Sequence, residues 1–286
     1  MKQVGERKED KWVLDHLPEL RHYERLAPTA SDVQTQVLSA HFMEKSFSNV
    51  YGNRVLQVMI TTEQFPITEL TTPETLITAT RDVFKCYRLL YETAGIMHQD
   101  IGLNNVMFRR KDGHIHGVLI DYDLVLELQK RDLGPSSKLN RTGSRLYIAL
   151  DLLDTPPMAH QYRHDLESLY YVLVVLTTGY KNSSLTEDWR YADAKNKSLA
   201  LYENKFVFIH MHLIPPLSTP FQKLEDIIEG LGLLFQLGYR AQCDARRNAR
   251  KALQKNLPLP LFNEVTLGGH VDFDEFEAIL SQPIDA

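Results

Sequence analysis

The stretch MHQDIGLNNVMF, residues 97–108, places Asp100 and Asn105 five positions apart in a segment otherwise poor in charge. A carboxylate and a carboxamide at this spacing can serve simply as turn-forming residues, and for the pair alone that is the simpler interpretation. Whether they hold a ligand therefore depends on what the chain brings back to them.

The residues that follow predict a β-hairpin. Residues 106–108 (VMF) and 114–124 (HIHGVLIDYDL) have the composition of two short strands, and Asp112-Gly113 between them is a strong hairpin turn signal. Asp121 lies at the end of the second strand. Because a hairpin reverses the chain, we expect Asp121 to return to the start of the first strand.

Three oxygen-bearing side chains, Asp100, Asn105 and Asp121, would then share one site. That set suits phosphoryl transfer. One carboxylate can accept the proton of an attacking hydroxyl, while the carboxamide and the second carboxylate supply the hard oxygen ligands that Mg²⁺ requires.

Helical and extended patterns account for much of the remaining chain. A helical pattern at residues 11–26 is interrupted by Pro18. The sequence further predicts a strand within 53–62, a helix capped by Thr71 or Thr72 and ending near Gly95, and an exposed loop at 128–147. It also predicts a helix buried on all sides at 165–180 and mainly helical structure in the rest of the chain.

Composition indicates an ordinary globular protein. Of the 286 residues, 43% are hydrophobic, and the formal net charge of −5 gives no general field for nucleic acid or an anionic membrane. Two cysteines, Cys86 and Cys243, are too few for a disulfide framework. With no apolar run of about 20 residues, we expect a cytoplasmic or nuclear protein that is not secreted and has no membrane or nucleic-acid partner.

Four motifs in order resemble those of protein kinases. His98 to Asn105 is similar to the catalytic loop H-R-D-x-x-x-x-N, and Asp121-Tyr122-Asp123 stands where D-F-G would. Residues 149–151 occupy the place of A-P-E, and residues 165–169 resemble the D-x-W-S-L opening of a buried central helix. Such an ordered set arises by chance less readily than any single motif.

More narrowly, residues 108–124, 162–173 and 266–280 resemble the fungal-type protein kinase family, whose members carry D-F-D-L in place of D-F-G. The resemblance implies an α+β, protein-kinase-like fold. Its C-lobe, residues 66–286, would be mainly helical, and residues 1–65 would form a reduced or truncated N-lobe with the hinge.

The resemblance also implies roles for individual residues. Asp100 would be the catalytic base, Asn105 and Asp121 would hold Mg²⁺, and Asp165 would be a buried anchor for the catalytic loop. Glu63, Gln64 and Phe65 would fall near the hinge that contacts the adenine of ATP. Thr142 and Ser144 would lie in the segment that receives the peptide.

Several kinase features are absent from the sequence. There is no G-x-G-x-x-G loop and no V-A-I-K-like strand, and Lys45 is a weak candidate for the strand lysine. Gln99 replaces an arginine that pairs with loop phosphate in many kinases, so we predict that phosphate on the loop does not act through it. Gly102 stands where serine/threonine kinases usually place a lysine.

The leading interpretation is an ATP- and Mg²⁺-dependent phosphotransferase acting on serine or threonine of a protein substrate. Two alternatives remain open: a catalytically impaired pseudokinase, or truncated kinase, that serves as a protein-binding scaffold, and a small-molecule phosphotransferase of the aminoglycoside-kinase type. The motif at 165–169 and the long loop before Ala149 argue against the last. The oligomeric state is not predicted.

Histidines give a weaker signal. His98 is interpreted as a structural residue hydrogen-bonded to backbone. His114 and His116 alternate along a predicted strand and share a face, as would His210 and His212 in an extended segment. Neither pair has a third ligand at metal spacing in the sequence, so a zinc site is the minor hypothesis.

Overall fold

The computed structural model describes residues 8–25, 57–123, 125–127, 145–154, 158–179, 189 and 198–284. These residues form two compact units. The larger contains residues 8–17 and the described residues from Gln64 onward, and the smaller contains residues 18–25 and 57–63. The predicted lobe boundaries at 1–65 and 66–286 stay a prediction. Lys45, Thr142 and Ser144 lie outside the described residues.

Helices and small antiparallel sheets occur together, as expected of an α+β chain. The strands are β1 (Leu20–Arg25), β2 (Gln57–Thr61), β3 (Phe65–Pro66), β4 (Ile96–Met97), β5 (Val106–Lys111), β6 (His114–Leu119) and β7 (Leu126–Glu127). The α-helices are α1 (Pro73–Ala94), α2 (Tyr162–Thr177), α3 (Ser198–His210), α4 (Glu225–Gln254) and α5 (Phe273–Leu280). The 3₁₀ helices are Lys8–His16, Ile67–Glu69, Arg145–Tyr147, Leu150–Leu153 and Thr219–Leu224.

The N-terminal segment corrects one prediction. Instead of one helical pattern broken at Pro18, a 3₁₀ helix, Lys8–His16, is followed by β1, which pairs antiparallel with β2. All six residues of β1 are exposed, so the strand has no apolar face. Without the alternation that marks a half-buried strand, the sequence carries no local signal for it.

The predicted helix before the quoted stretch is confirmed as α1. Thr72 caps it by accepting a hydrogen bond from the Thr75 backbone at 3.3 Å, and Pro73 occupies the first turn. Gly95 ends the helix with φ of 62°, a left-handed conformation that glycine adopts without a Cβ penalty. Both signals were local to the sequence, which is why the helix ends were predictable.

The predicted hairpin is also confirmed. β5 and β6 pair in register from Val106↔Leu119 to Lys111↔His114 around Asp112 and Gly113, whose φ values are both positive, 52° and 79°. Gly117 of β6 lies against α1, because a Cβ built there would stand 1.9 Å from the Ala79 carbonyl oxygen. The hairpin therefore packs directly on the helix backbone.

The predicted buried helix is confirmed as α2, of which fifteen residues are buried, including Arg163, His164, Asp165 and Glu167. Asp151 pairs with Arg163, and Glu167 accepts hydrogen bonds from Leu150 N, Tyr171 Oη and Tyr239 Oη at 2.6–2.8 Å. These buried charges are paired or hydrogen-bonded, as burial requires. They join α2 to the segment at 149–153 and to α4.

The C-terminal helices complete the larger unit. Phe273 and Phe276 of α5 contact Phe84 of α1. His210 ends α3 and His212 follows in a turn with φ of 51°, so the two do not share a strand face as considered from the sequence. Among the described residues, no helix combines the length and apolarity needed to cross a membrane.

Candidate active site

The loop at residues 98–105 is held in place by Asp165 of α2. The Asp165 carboxylate accepts hydrogen bonds from the His98 backbone N–H at 3.0 Å and from the Gln99 backbone N–H at 3.1 Å. His160 contacts the same carboxylate, with Nε2 3.0 Å from Oδ1. Gln99 has φ of 68°, a costly conformation for a residue other than glycine, and the bonds to Asp165 offset part of that cost.

His98 is the structural residue that the sequence predicted. It is fully buried, and its Nε2 donates to the carbonyl oxygen of Ile120 at 2.9 Å. Since that nitrogen carries the proton, Nδ1 is free to accept from the Asp100 backbone N–H at 3.3 Å. Burial lowers the pKa of His98, although the Asp165 carboxylate acts to raise it. The neutral ring thus ties the loop to the end of the hairpin.

Asp100 and Asn105 are in direct contact. The Asn105 carboxamide is 9% exposed, and its Nδ2 donates to the Asp100 carbonyl oxygen at 2.8 Å and to Asp100 Oδ2 at 3.1 Å. Both partners are acceptors, so the amide nitrogen must face Asp100. The side-chain oxygen of Asn105, Oδ1, is consequently directed away from Asp100.

Asp121 reaches the same place from the end of the hairpin. The backbone N–H of Ile120 donates to the backbone carbonyl oxygen of Asn105 at 2.9 Å, and this bond fixes the start of the segment that carries Asp121. Asp121 is exposed and has φ of 62°. Asp121 therefore follows directly after the residue bonded to Asn105, and its carboxylate is close enough to Asp100 to raise the pKa of that group. A single site shared by all three side chains stays a prediction.

Electrostatics distinguish the two buried or half-buried carboxylates. Burial raises the pKa of Asp100; His98 opposes this, and the negative charges of Asp121 and Asp165 add to it. For Asp165, burial acts to raise the pKa, but His160, His98 and a Tyr87 hydrogen bond prevail and lower it. Asp165 thus stays ionised as an anchor, while Asp100 has a raised proton affinity, as a general base near neutral pH needs.

The three residues predicted to contact adenine lie along the chain just before and within β3. Glu63 is exposed, and Gln64 and Phe65 are half-buried. Phe65 pairs with Phe108 of β5, and their ring centroids are 5.5 Å apart. The assignment of these residues to a nucleotide stays a prediction.

The glycine at the usual lysine position has a local explanation. A Cβ at Gly102 would stand 3.0 Å from the ring of Tyr147, so the loop packs its backbone against that aromatic side chain. A lysine there would require the Tyr147 ring to move by a few tenths of an ångström. With glycine at position 102, the loop packs on Tyr147, and this position supplies no positive charge near the site.

Two buried contacts were not predicted from the sequence. His160, five residues before Asp165, was not considered, although a histidine near the start of a helix that opens on a buried aspartate would have been a clue. Lys205 of α3 is fully buried; its Nζ lies 3.9 Å from the Tyr171 ring centroid and donates to the carbonyl oxygen of Ile148. An isolated lysine in a helical pattern is ordinarily exposed, so tertiary structure alone shows its role.

Comparison with known proteins identifies the family of the chain. A search of curated proteins returned no match. The family model described as fungal protein kinase matches residues 3–177, more than half of the chain, and this span contains Asp100, Asn105, Asp121 and Asp165. The chain belongs to the fungal protein kinase family.

Proposed function

We propose that this protein is an ATP- and Mg²⁺-dependent phosphotransferase that phosphorylates serine or threonine of a protein substrate. The observation that carries the proposal is the joint placement of Asp100, Asn105 and Asp121, two of them in direct hydrogen-bond contact. Family membership supports the kinase class, and this geometry supports the individual roles.

Asp100 is assigned the role of general base. Its raised pKa favours acceptance of the proton from the attacking hydroxyl. Asn105 holds the Asp100 carboxylate through Nδ2 and so limits its rotation. Orientation of this kind is a large part of catalysis in phosphoryl transfer, where the protein contributes mainly positioning and electrostatic stabilisation.

The donor set fits Mg²⁺. The side-chain oxygen Oδ1 of Asn105 is turned away from Asp100, and the exposed Asp121 carboxylate offers a second hard oxygen ligand. These two residues would hold the ion. Bound there, Mg²⁺ would neutralise negative charge on the nucleotide phosphates. We assign the adenine contacts to Glu63, Gln64 and Phe65, from their place in the sequence.

A non-catalytic, protein-binding scaffold is the second candidate. The packing of Gly102 against Tyr147 favours it, because that position supplies no cation for the transferred phosphate. The retained Asp100, Asn105 and Asp121 favour catalysis.

Thermal unfolding with and without Mg²⁺·ATP is the first test. A ligand at 100 times its Kd stabilises a protein by about 2.7 kcal/mol, which is a measurable shift of Tm. We expect the shift in wild type and its loss in Asp121→Asn; asparagine tolerates the positive φ at this position. Asp123→Asn removes the same charge from an exposed neighbour and is the matched control.

Transfer of labelled phosphate to a general serine/threonine protein substrate is the second test. Asp100→Asn should keep the nucleotide-dependent Tm shift and lose transfer by about 100-fold or more, the usual contribution of a general base. If wild type shows neither a Tm shift nor transfer at millimolar Mg²⁺·ATP, the kinase proposal is wrong and the scaffold function replaces it.

A further inference from the structure

A second cluster of metal-binding side chains lies in the larger unit and has no part in the proposed catalysis. His16 comes from the 3₁₀ helix Lys8–His16, Asp82 from α1 and His116 from β6. Each offers one ligand atom, and the three atoms lie within 4.8 Å of one another. Their separation in sequence explains why inspection of histidine pairs found no third ligand for His116.

The inner side of the cluster is fixed by one residue, Gly117. His16 Nδ1 is 2.8 Å from the Gly117 carbonyl oxygen, and the Gly117 N–H donates to Asp82 Oδ2 at 3.0 Å. A carbonyl oxygen can only accept, so Nδ1 of His16 carries the proton and Nε2 has its lone pair free. Metal-binding histidines are commonly oriented by such a bond from the second ring nitrogen to a backbone carbonyl.

The cluster is partly shielded from solvent. His16 is buried and Asp82 is half-buried beside it, with His16 Nδ1 3.7 Å from Asp82 Oδ2. His116 is half-buried on the same side, and its ring centroid lies 5.7 Å from that of His16. Two imidazoles and one carboxylate converge at the edge of the helix–hairpin contact.

We propose that His16, Asp82 and His116 form a site for a divalent transition-metal ion, with Zn²⁺ as the favoured ion and water as the fourth ligand. Two nitrogen donors and one carboxylate match Zn²⁺ rather than Mg²⁺ or Ca²⁺, which prefer oxygen ligands. Ligand bonds of about 2.0–2.2 Å put tetrahedral ligand atoms about 3.4 Å apart, so atoms as much as 4.8 Å apart must approach by up to about 1.4 Å, with His16 presenting Nε2. The ion would fasten residues 8–17 to α1 and β6.

Zinc binding to the purified full chain tests the proposal directly. The protein, carrying no histidine tag, is stripped with a chelator, and uptake of Zn²⁺ is followed by calorimetry. We expect one equivalent to bind to wild type and at least tenfold weaker binding in His116→Ala, which removes one of three ligands. His114→Ala removes an exposed histidine from the same strand and should bind as wild type does.

Co²⁺ substitution gives a readout of the ligand set. A four-coordinate nitrogen and oxygen site should give visible absorption in wild type and His114→Ala that is lost in His116→Ala and in Asp82→Asn. The Asp82→Asn variant keeps an oxygen for the Gly117 N–H, so it separates ligand loss from misfolding. No stoichiometric Zn²⁺ uptake by wild type, or equal weakening in His114→Ala and His116→Ala, would overturn the proposal.

Discussion

Acid should destabilise this protein through His164, a fully buried histidine near the start of α2. Burial, together with the positive charge of Arg163, lowers the His164 pKa to about 3, against the opposing effect of Asp151. The ordinary value is 6.5. Because the folded pKa lies below the unfolded one, the unfolded chain takes up a proton first as pH falls, and stability is lost between about pH 6.5 and 3.

The size of the effect follows from the two pKa values. Below pH 6.5 the unfolded chain carries one more proton at this site, and each pH unit then costs about 1.4 kcal/mol. Integrated from pH 7 to pH 5, the loss is about 2 kcal/mol. Burial acts to raise the pKa of the neighbouring Asp151, but the nearby His164 ring and the paired Arg163 prevail and lower it to about 2, so its contribution is lost only below about pH 4.

Replacement of His164 by glutamine removes the titrating group. His164 Nδ1 accepts from the Gln161 backbone N–H at 3.0 Å as part of a capping box, and glutamine is a usual residue at that position of the motif. We expect urea unfolding to show a loss from pH 7 to pH 5 that is smaller in His164→Gln by about 2 kcal/mol. His114→Gln, at an exposed histidine of β6, controls for removal of a surface imidazole.

Parallel stability curves for wild type and His164→Gln between pH 7 and pH 5 would refute the reasoning. They would mean that His164 is protonated in the folded state, where its Nε2 lies 3.9 Å from Asp151 Oδ2. In that case the Arg163–Asp151–His164 group would form a charged network at neutral pH.

Three further substitutions probe the supports of the candidate site. Asp165→Asn should lower the free energy of unfolding by about 2–4 kcal/mol, because a backbone N–H of His98 or Gln99 loses its charged acceptor. Hydrogen exchange of that amide should accelerate, and unchanged exchange would contradict the anchor role. Gly117→Ala should lower stability by about 2 kcal/mol or more, since its Cβ would meet the carbonyl oxygen of Ala79, and a midpoint equal to that of wild type would contradict this packing. Glu167→Gln should lower the free energy of unfolding by about 1–3 kcal/mol, because one amide oxygen cannot accept from three buried donors. Tyr239→Phe removes one of these donors, so adding Glu167→Gln to that variant should cost less than it does in wild type. Strictly additive costs would refute the shared network.

Features with local causes were predictable from the sequence. The ends of α1 follow from Thr72, Pro73 and Gly95, each of which acts on its immediate neighbours. The hairpin follows from the turn at Asp112-Gly113, and the hairpin in turn is what returns Asp121 toward Asp100 and Asn105. The part of the candidate site that depends on this one turn was therefore predictable from the sequence.

Features that depend on distant partners were not predictable. β1 exists because it pairs with β2, more than thirty residues away, and its own residues are all exposed. Lys205 is buried because the carbonyl of Ile148 and the ring of Tyr171 accept its charge, and neither partner is near it in sequence. The grouping of His16 with His116 was likewise not predictable, because it depends on the packing of β6 against the segment that carries His16.

The β5–β6 hairpin links the two sites, because its ends carry the candidate catalytic residues and its middle carries Gly117. Asn105 precedes β5 and Asp121 follows β6. The hydrogen bond from the Ile120 backbone N–H to the Asn105 backbone carbonyl joins these two ends of the hairpin. Both backbone groups of Gly117 are bonded to side chains of the proposed metal cluster. A cation that draws those side chains together would hold β6 more firmly on α1, and β6 is the strand from which Asp121 extends. Metal binding at the edge of the hairpin should therefore restrict the motion of the segment that carries Asp121, the proposed Mg²⁺ ligand, without contacting it.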